Sequence, residues 1–115
     1  MQNYIRKRKI MGLFKKKEDG KKFRLEMVNK IKDKRIRYVT EKRDGVEEVI
    51  GKSGAFSVRD GEFIVFASSE VIMRTPAAEL RAWELLSGDG VVLTGRDDEH
   101  GGTERTITAY YVYFR

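Results

Sequence analysis

The residues best equipped for chemistry stand together at Asp97-Asp98-Glu99-His100-Gly101-Gly102, a run of carboxylates ending in the only histidine of the chain. Oxygen ligands with one imidazole could hold a divalent cation. The alternating Asp/Asn ligands and the distant bidentate Glu of an EF-hand loop are missing, however, and four consecutive polar residues on a loop cannot all turn inward. A solvated hairpin tip accounts for the run, so no metal ligand is assigned. Nucleophilic catalysis has little to draw on. There is no cysteine, and a triad would need this same turn histidine to be oriented by a distant carboxylate. Ser53, Ser57, Ser68, Ser69 and Ser87 fall in turns or at strand ends, where short polar side chains belong. Glu47-Glu48 reads as a solvated strand edge rather than an acid–base pair. Gly51-Lys52-Ser53-Gly54 contains the Gly-Lys-Ser triplet of a phosphate loop without its upstream glycine or its following helix. No catalytic residue and no cofactor is assigned, and the expectation is a protein that is not an enzyme.

Charge is the second chemical resource, and it is unevenly placed. The chain carries 24 Lys plus Arg against 18 Asp plus Glu, a formal +6. Residues 1–10 contribute +4 through Arg6, Lys7, Arg8 and Lys9, and residues 11–22 a further +3 through Lys15, Lys16, Lys17, Lys21 and Lys22 against Glu18 and Asp19. The rest of the chain is then at −1. A basic arm over residues 1–20 could track the phosphates of nucleic acid as a salt-sensitive clamp. It could also meet an anionic membrane surface, with Leu13 and Phe14 entering the interface. A disordered solubilising tail is the plainer reading of a short charged terminus and ranks ahead of both. Met11-Gly12-Leu13-Phe14-Lys15-Lys16-Lys17 also reads like the start of a small bacterial protein. Lys7-Arg8-Lys9-Ile10 just before it is what a purine-rich ribosome-binding site gives when translated in frame. On that reading translation starts at Met11, and the chain carries about +2.

These groups must be positioned by one domain over residues 21–115, long enough for a single modest core. The lack of cysteine suits a reducing compartment, no apolar run approaches the length of a membrane span, and a cytoplasmic protein is expected. Asp44-Gly45, Asp60-Gly61 and Asp89-Gly90 are hairpin turns between runs rich in Val, Ile, Phe, Tyr and Thr. Ser53-Gly54 and His100-Gly101-Gly102 add two further breaks. Strands are predicted at Arg35–Lys42, Val46–Gly51, Ala55–Arg59, Glu62–Ala67, Glu70–Arg74, Val91–Gly95 and Glu104–Phe114. The fold class is therefore mainly β, with one or two short helices: a small antiparallel meander forming a partly open barrel or a two-layer sheet.

Phe23, Met27 and Ile31 recur at helical spacing, with Glu26–Lys30 at i, i+4, so Lys22–Lys34 is predicted as an amphipathic helix packed on the sheet. Thr75-Pro76 opens a helical turn or two, although Trp83–Leu86 could instead pair with Val91–Thr94 through Ser87-Gly88-Asp89-Gly90. The expected core is Phe23, Met27, Ile36, Tyr38, Val49, Phe56, Phe63, Val65, Val71, Leu80, Trp83, Leu86, Val91, Leu93, Ile107, Ala109 and Tyr111. A small β-barrel with one helix is similar in outline to pleckstrin-homology-like modules, which end in a helix where this chain ends in a strand. That likeness is one of fold alone and transfers no ligand.

The last strand is aromatic on both faces, which suits either burial between layers or contact with a partner. As an edge strand it would invite a second copy of the chain, with Tyr110, Tyr111, Tyr113 and Phe114 forming the interface. A non-catalytic binding or assembly module acting through its β domain is thus the leading functional expectation, with a homodimer or another protein as partner. Nucleic-acid or anionic-membrane binding by Arg6, Lys7, Arg8, Lys9, Lys15, Lys16 and Lys17 comes second, and a small-molecule enzyme third.

Overall fold

The computed structural model describes the backbone of residues 12–112 and the side chains of residues 22–112. Helix α1 (Gly12–Ile31) is followed by β1 (Arg35–Arg43), β2 (Val46–Arg59), β3 (Glu62–Ala67) and β4 (Glu70–Pro76). A 3-10 turn (Ala77–Glu79) leads into β5 (Arg81–Glu84), β6 (Gly90–Asp97) and β7 (Thr103–Tyr111). All seven strands join one antiparallel sheet in the order β4-β3-β2-β1-β7-β6-β5. The fold is mainly antiparallel β, and the sheet curls without closing into a barrel. The helix starts well before the predicted Lys22 and overlaps the arm assigned to residues 1–20; residues 1–11 lie outside the described residues.

Turn chemistry explains the meander. Asp44-Gly45 and Asp60-Gly61 have positive φ at both positions, as a type I′ hairpin demands. Ser68-Ser69 does the same without glycine, and Ser68 is held there. Its Oγ accepts Lys52 N at 2.9 Å and its own N donates to Lys52 O at 2.7 Å. The break expected at Ser53-Gly54 is instead a kink inside one long strand. Ser53 takes a φ of 52°, and β2 runs through it from its pairing with β1 to its pairing with β3. Both readings of residues 75–87 hold in part. One 3-10 turn follows Pro76, and β5 then pairs with β6 as Trp83↔Val92, two residues away from the register expected.

The core lies inside the curl, with Met27, Val28 and Ile31 of α1 sealing one opening of it. Inward positions alternate along the strands: Val91 and Leu93 on β6, Ile107, Ala109 and Tyr111 on β7. Phe23, Val49, Trp83 and Leu86 are exposed, not core, and Tyr38 and Val71 are half-buried. Register is the reason for Trp83. Ala82 faces inward opposite Leu93, so Trp83 and its partner Val92 face out.

Candidate functional site

Period-2 alternation carries charged residues as well as apolar ones to the inner face. Asp97 continues the inward series Val91, Leu93, Gly95 on β6, Arg105 precedes Ile107 on β7, and Glu41 follows Val39 on β1. The three meet. Arg105 donates through Nε and Nη2 to the two oxygens of Glu41 at 3.1 and 2.9 Å, and through Nη1 to Asp97 Oδ2 at 2.6 Å and to Ile72 O at 2.9 Å. Asp97 is fully buried and accepts three more hydrogen bonds: from His100 Nδ1 at 2.7 Å, Arg74 N at 3.2 Å and Glu99 N at 3.0 Å. The bond to Glu99 N is an Asx turn that starts the β6–β7 loop.

Burial opposes ionisation of Asp97, but the bonds from Arg105, His100 and the two amides outweigh it and hold the carboxyl below its ordinary value. An ionised carboxylate can only accept, so His100 carries a proton on Nδ1. Glu41 is likewise lowered, chiefly by its bonds from Arg105.

The run read as a solvated hairpin tip is therefore not solvated throughout: Asp97 is its buried anchor. Beside it lies an open cleft of about 430 Å³ with Ile50, Val71 and Ile72 among its lining and Glu41, Glu70, His100 and Arg105 around them. His100 is a side chain in this lining of a type used in general acid–base catalysis. Among the described residues, though, no hydroxyl contacts His100, and no group of three His, Asp or Glu side chains is placed to hold a metal ion.

The network does serve the fold. Arg74 N donates to Asp97 Oδ1, Arg74 O accepts from Asp98 N, and Ile72 O accepts from Arg105, so two side chains and one backbone amide stand in for strand pairing between β4 and β6. Gly95 permits the crossing, since a Cβ there would meet Thr75 Oγ1 at 2.6 Å.

A different group of residues faces outward. Relative to β7, the register of β1 slips between Ile36 and Tyr38, a bulge at Arg37. Ile36 and Val39 stay buried, so Arg37 and Tyr38 in succession turn toward solvent. Tyr38 stacks on Tyr110 of β7 with ring centroids 4.7 Å apart, and the Arg37 guanidinium lies 5.2 Å from the Tyr38 centroid. Lys52 stands opposite Tyr38 on β2. Arg37, Tyr38, Thr40, Glu47, Val49 and Lys52 line a cleft of about 420 Å³. Glu47 is the acid of this cleft, and it accepts Thr40 Oγ1 at 2.6 Å and Tyr110 OH at 3.2 Å. Burial, then the charge of Glu47, raise the Tyr110 hydroxyl above its usual value, so it stays a donor.

Of the two described residues predicted as an interaction surface, Tyr110 is on this face and Tyr111 is not. Tyr111 is buried and donates its OH to Glu84, while Tyr113 and Phe114 lie outside the described residues. β7 is not an edge strand: β1 and β6 pair with it on both sides. Of the predicted phosphate contacts, Arg6, Lys7, Arg8 and Lys9 are outside the described residues. Lys15, Lys16 and Lys17 lie in the first turns of α1, where the backbone alone is described.

What sequence reasoning passed over was a second basic run. Lys30, Lys32, Lys34, Arg35 and Arg37 stand against Asp33 alone, and averaging the whole body to −1 conceals them. Comparison with protein-family models, with curated proteins and with solved structures returned no match.

Proposed function

We propose that this chain is a non-catalytic binding module of the bacterial cytoplasm that engages an anionic partner through the β1–β2–β7 face. The supporting observation is the Tyr38–Tyr110 stack flanked by Arg37 and Lys52. Among the described residues neither base has a salt-bridge partner, whereas Arg74, Arg96 and Arg105 are all tied to carboxylates. Free cations beside a rigid, amphipathic aromatic pair suit recognition, and the paired ones suit structure. The Asp97–His100 pair does not compete with this reading: among the described residues no hydroxyl contacts it, and its carboxylate bonds β4 to β6.

Hydroxyl-radical footprinting in host cells tests the reading without knowledge of the partner. Oxidation of Tyr38 and Tyr110 in cells is expected to fall well below that of the purified chain, while exposed Trp83 reacts equally in both. Equal oxidation of the two tyrosines in cells and in solution overturns the proposal. Protection confined to Trp83 would move the contact to β5 and overturn it too.

A further inference from the structure

We infer that the anionic partner is a single strand of nucleic acid, an inference that rests on the binding face proposed above. Three observations favour it. First, charge is polarised along the molecule. Lys32, Lys34, Arg35 and Arg37 are exposed where α1 passes into β1, with only Asp33 among them in sequence, and exposed Lys52 of β2 stands alongside, with Glu47 as the acid of their cleft. The acids Glu41, Glu62, Asp97, Asp98 and Glu99 gather with their own arginines at the β6–β7 loop. A polyanion is drawn to the first region and repelled by the second.

Second, cations stand beside hydrogen-bonding groups. Arg37 and Lys52 line one cleft with Tyr38, and Arg35 lines another, of about 450 Å³, with Ser53 and Ser69. Charge with hydrogen-bond donors beside it matches a phosphodiester backbone.

Third, the aromatic pair discriminates. Tyr38 is half-buried and capped on one side by a guanidinium, and an unpaired base can enter or replace that contact through its own π-face. A duplex hides those faces inside its stack.

The test uses the full chain and fluorescence anisotropy with a labelled single-stranded RNA of about a dozen nucleotides, a site size in the range typical of such surfaces. Duplex RNA of the same sequence and phosphatidylglycerol vesicles are the comparison ligands. The basic N-terminal residues attract any polyanion, so the decisive readouts come from variants of the face. The double variant Arg37→Gln/Lys52→Gln is expected to flatten the slope of log affinity against log salt by about 1.4, since each phosphate contact on a single strand contributes about 0.7. Tyr38→Leu keeps the apolar bulk and removes the π-face, and is expected to weaken binding about tenfold with the salt slope unchanged. Circular dichroism of each variant confirms the fold.

Binding to which both variants are indifferent places the strand on the arm and overturns the inference. Equal affinity for the duplex, or preference for vesicles, overturns it as well. Protected tyrosines in cells without RNA binding in solution would refute the nucleic-acid ligand and leave the binding face standing; unprotected tyrosines would remove both.

Discussion

Asp97 is the residue on which most of the polar structure converges. Its side chain is fully buried, yet it is ionised because Arg105, His100 and two backbone amides all point donors at it. Its position was legible in principle, two residues beyond Gly95 in an inward series that begins at Val91. Four adjacent polar residues looked like a loop tip, and the composition of the run masked its period. Replacing Asp97 by Asn leaves the Arg105 guanidinium, 17% exposed, with only Glu41 as a carboxylate partner. The variant is expected to lose about 3 kcal/mol at neutral pH, the lower end of the range for breaking one side of a buried pair. The sign of the pH dependence follows from the lowered pKa of Asp97. Its ionisation stabilises the fold above the unfolded-state value of about 3.9 and ceases to do so as pH falls through the folded value. Urea unfolding of both chains at pH 7 and pH 3 should therefore show the gap between wild type and Asp97→Asn shrinking in acid. A gap independent of pH would mean that Asp97 acts through shape alone.

Strand β2 shows most clearly what sequence makes visible about an element. Its apolar and turn residues suggested two strands broken at Ser53-Gly54, and the positions of the residues were right while the break was not. Backbone proximity explains the glycine. A Cβ at Gly54 would lie 1.7 Å from Phe66 O, so β3 can pass beside the kink only if residue 54 has no side chain. Gly54→Ala is expected to cost about 3 kcal/mol, the upper part of the overpacking range, because backbone cannot move aside as a side chain can. Gly45→Ala meets nothing within 4 Å but forces alanine to a φ of +79°, and a smaller loss of about 1 kcal/mol is expected. Urea midpoints of the two variants check the order; a larger loss at Gly45 would show that the β2–β3 contact is looser than described. The fold class, the hairpins at Asp44-Gly45 and Asp60-Gly61 and eleven of the expected core positions could be read from local pattern and turn chemistry, whereas Asp89-Gly90 is no such turn: Gly90 opens β6 and the positive φ falls on Gly88. Trp83, Val49 and the central place of β7 could not, because register and strand order depend on pairings between distant segments. The candidate face escaped for a related reason: Arg37 and Tyr38 share one side of β1 only because of a bulge that no local pattern announces.

At the scale of the whole molecule, the disposition of sheet edges decides whether the chain pairs with itself. Had β7 been an edge, its aromatic length would have invited a second copy. It is instead hydrogen-bonded on both sides, and Tyr111 is inside. The true edges are β4 and β5. Edge strand β4 is engaged at Ile72 and Arg74 by Arg105, Asp97 and Asp98, so part of its outer row of backbone groups is already satisfied. Edge strand β5 has four residues and is flanked by α1, whose Lys30 bonds Glu84 at 2.7 Å. A short, covered edge and an edge occupied by side chains are both protected against strand addition. The chain is therefore expected to be monomeric by light scattering across micromolar concentrations. Arg105→Ala should weaken that protection, because it frees Ile72 O and unbinds Asp97 and Glu41 together, and a concentration-dependent rise in mass is expected for the variant. A wild-type dimer that Tyr110→Lys leaves intact but that a charge on the exposed side of β5, such as Trp83→Lys, dissolves would show that β5 pairs across copies and that the edge account is wrong.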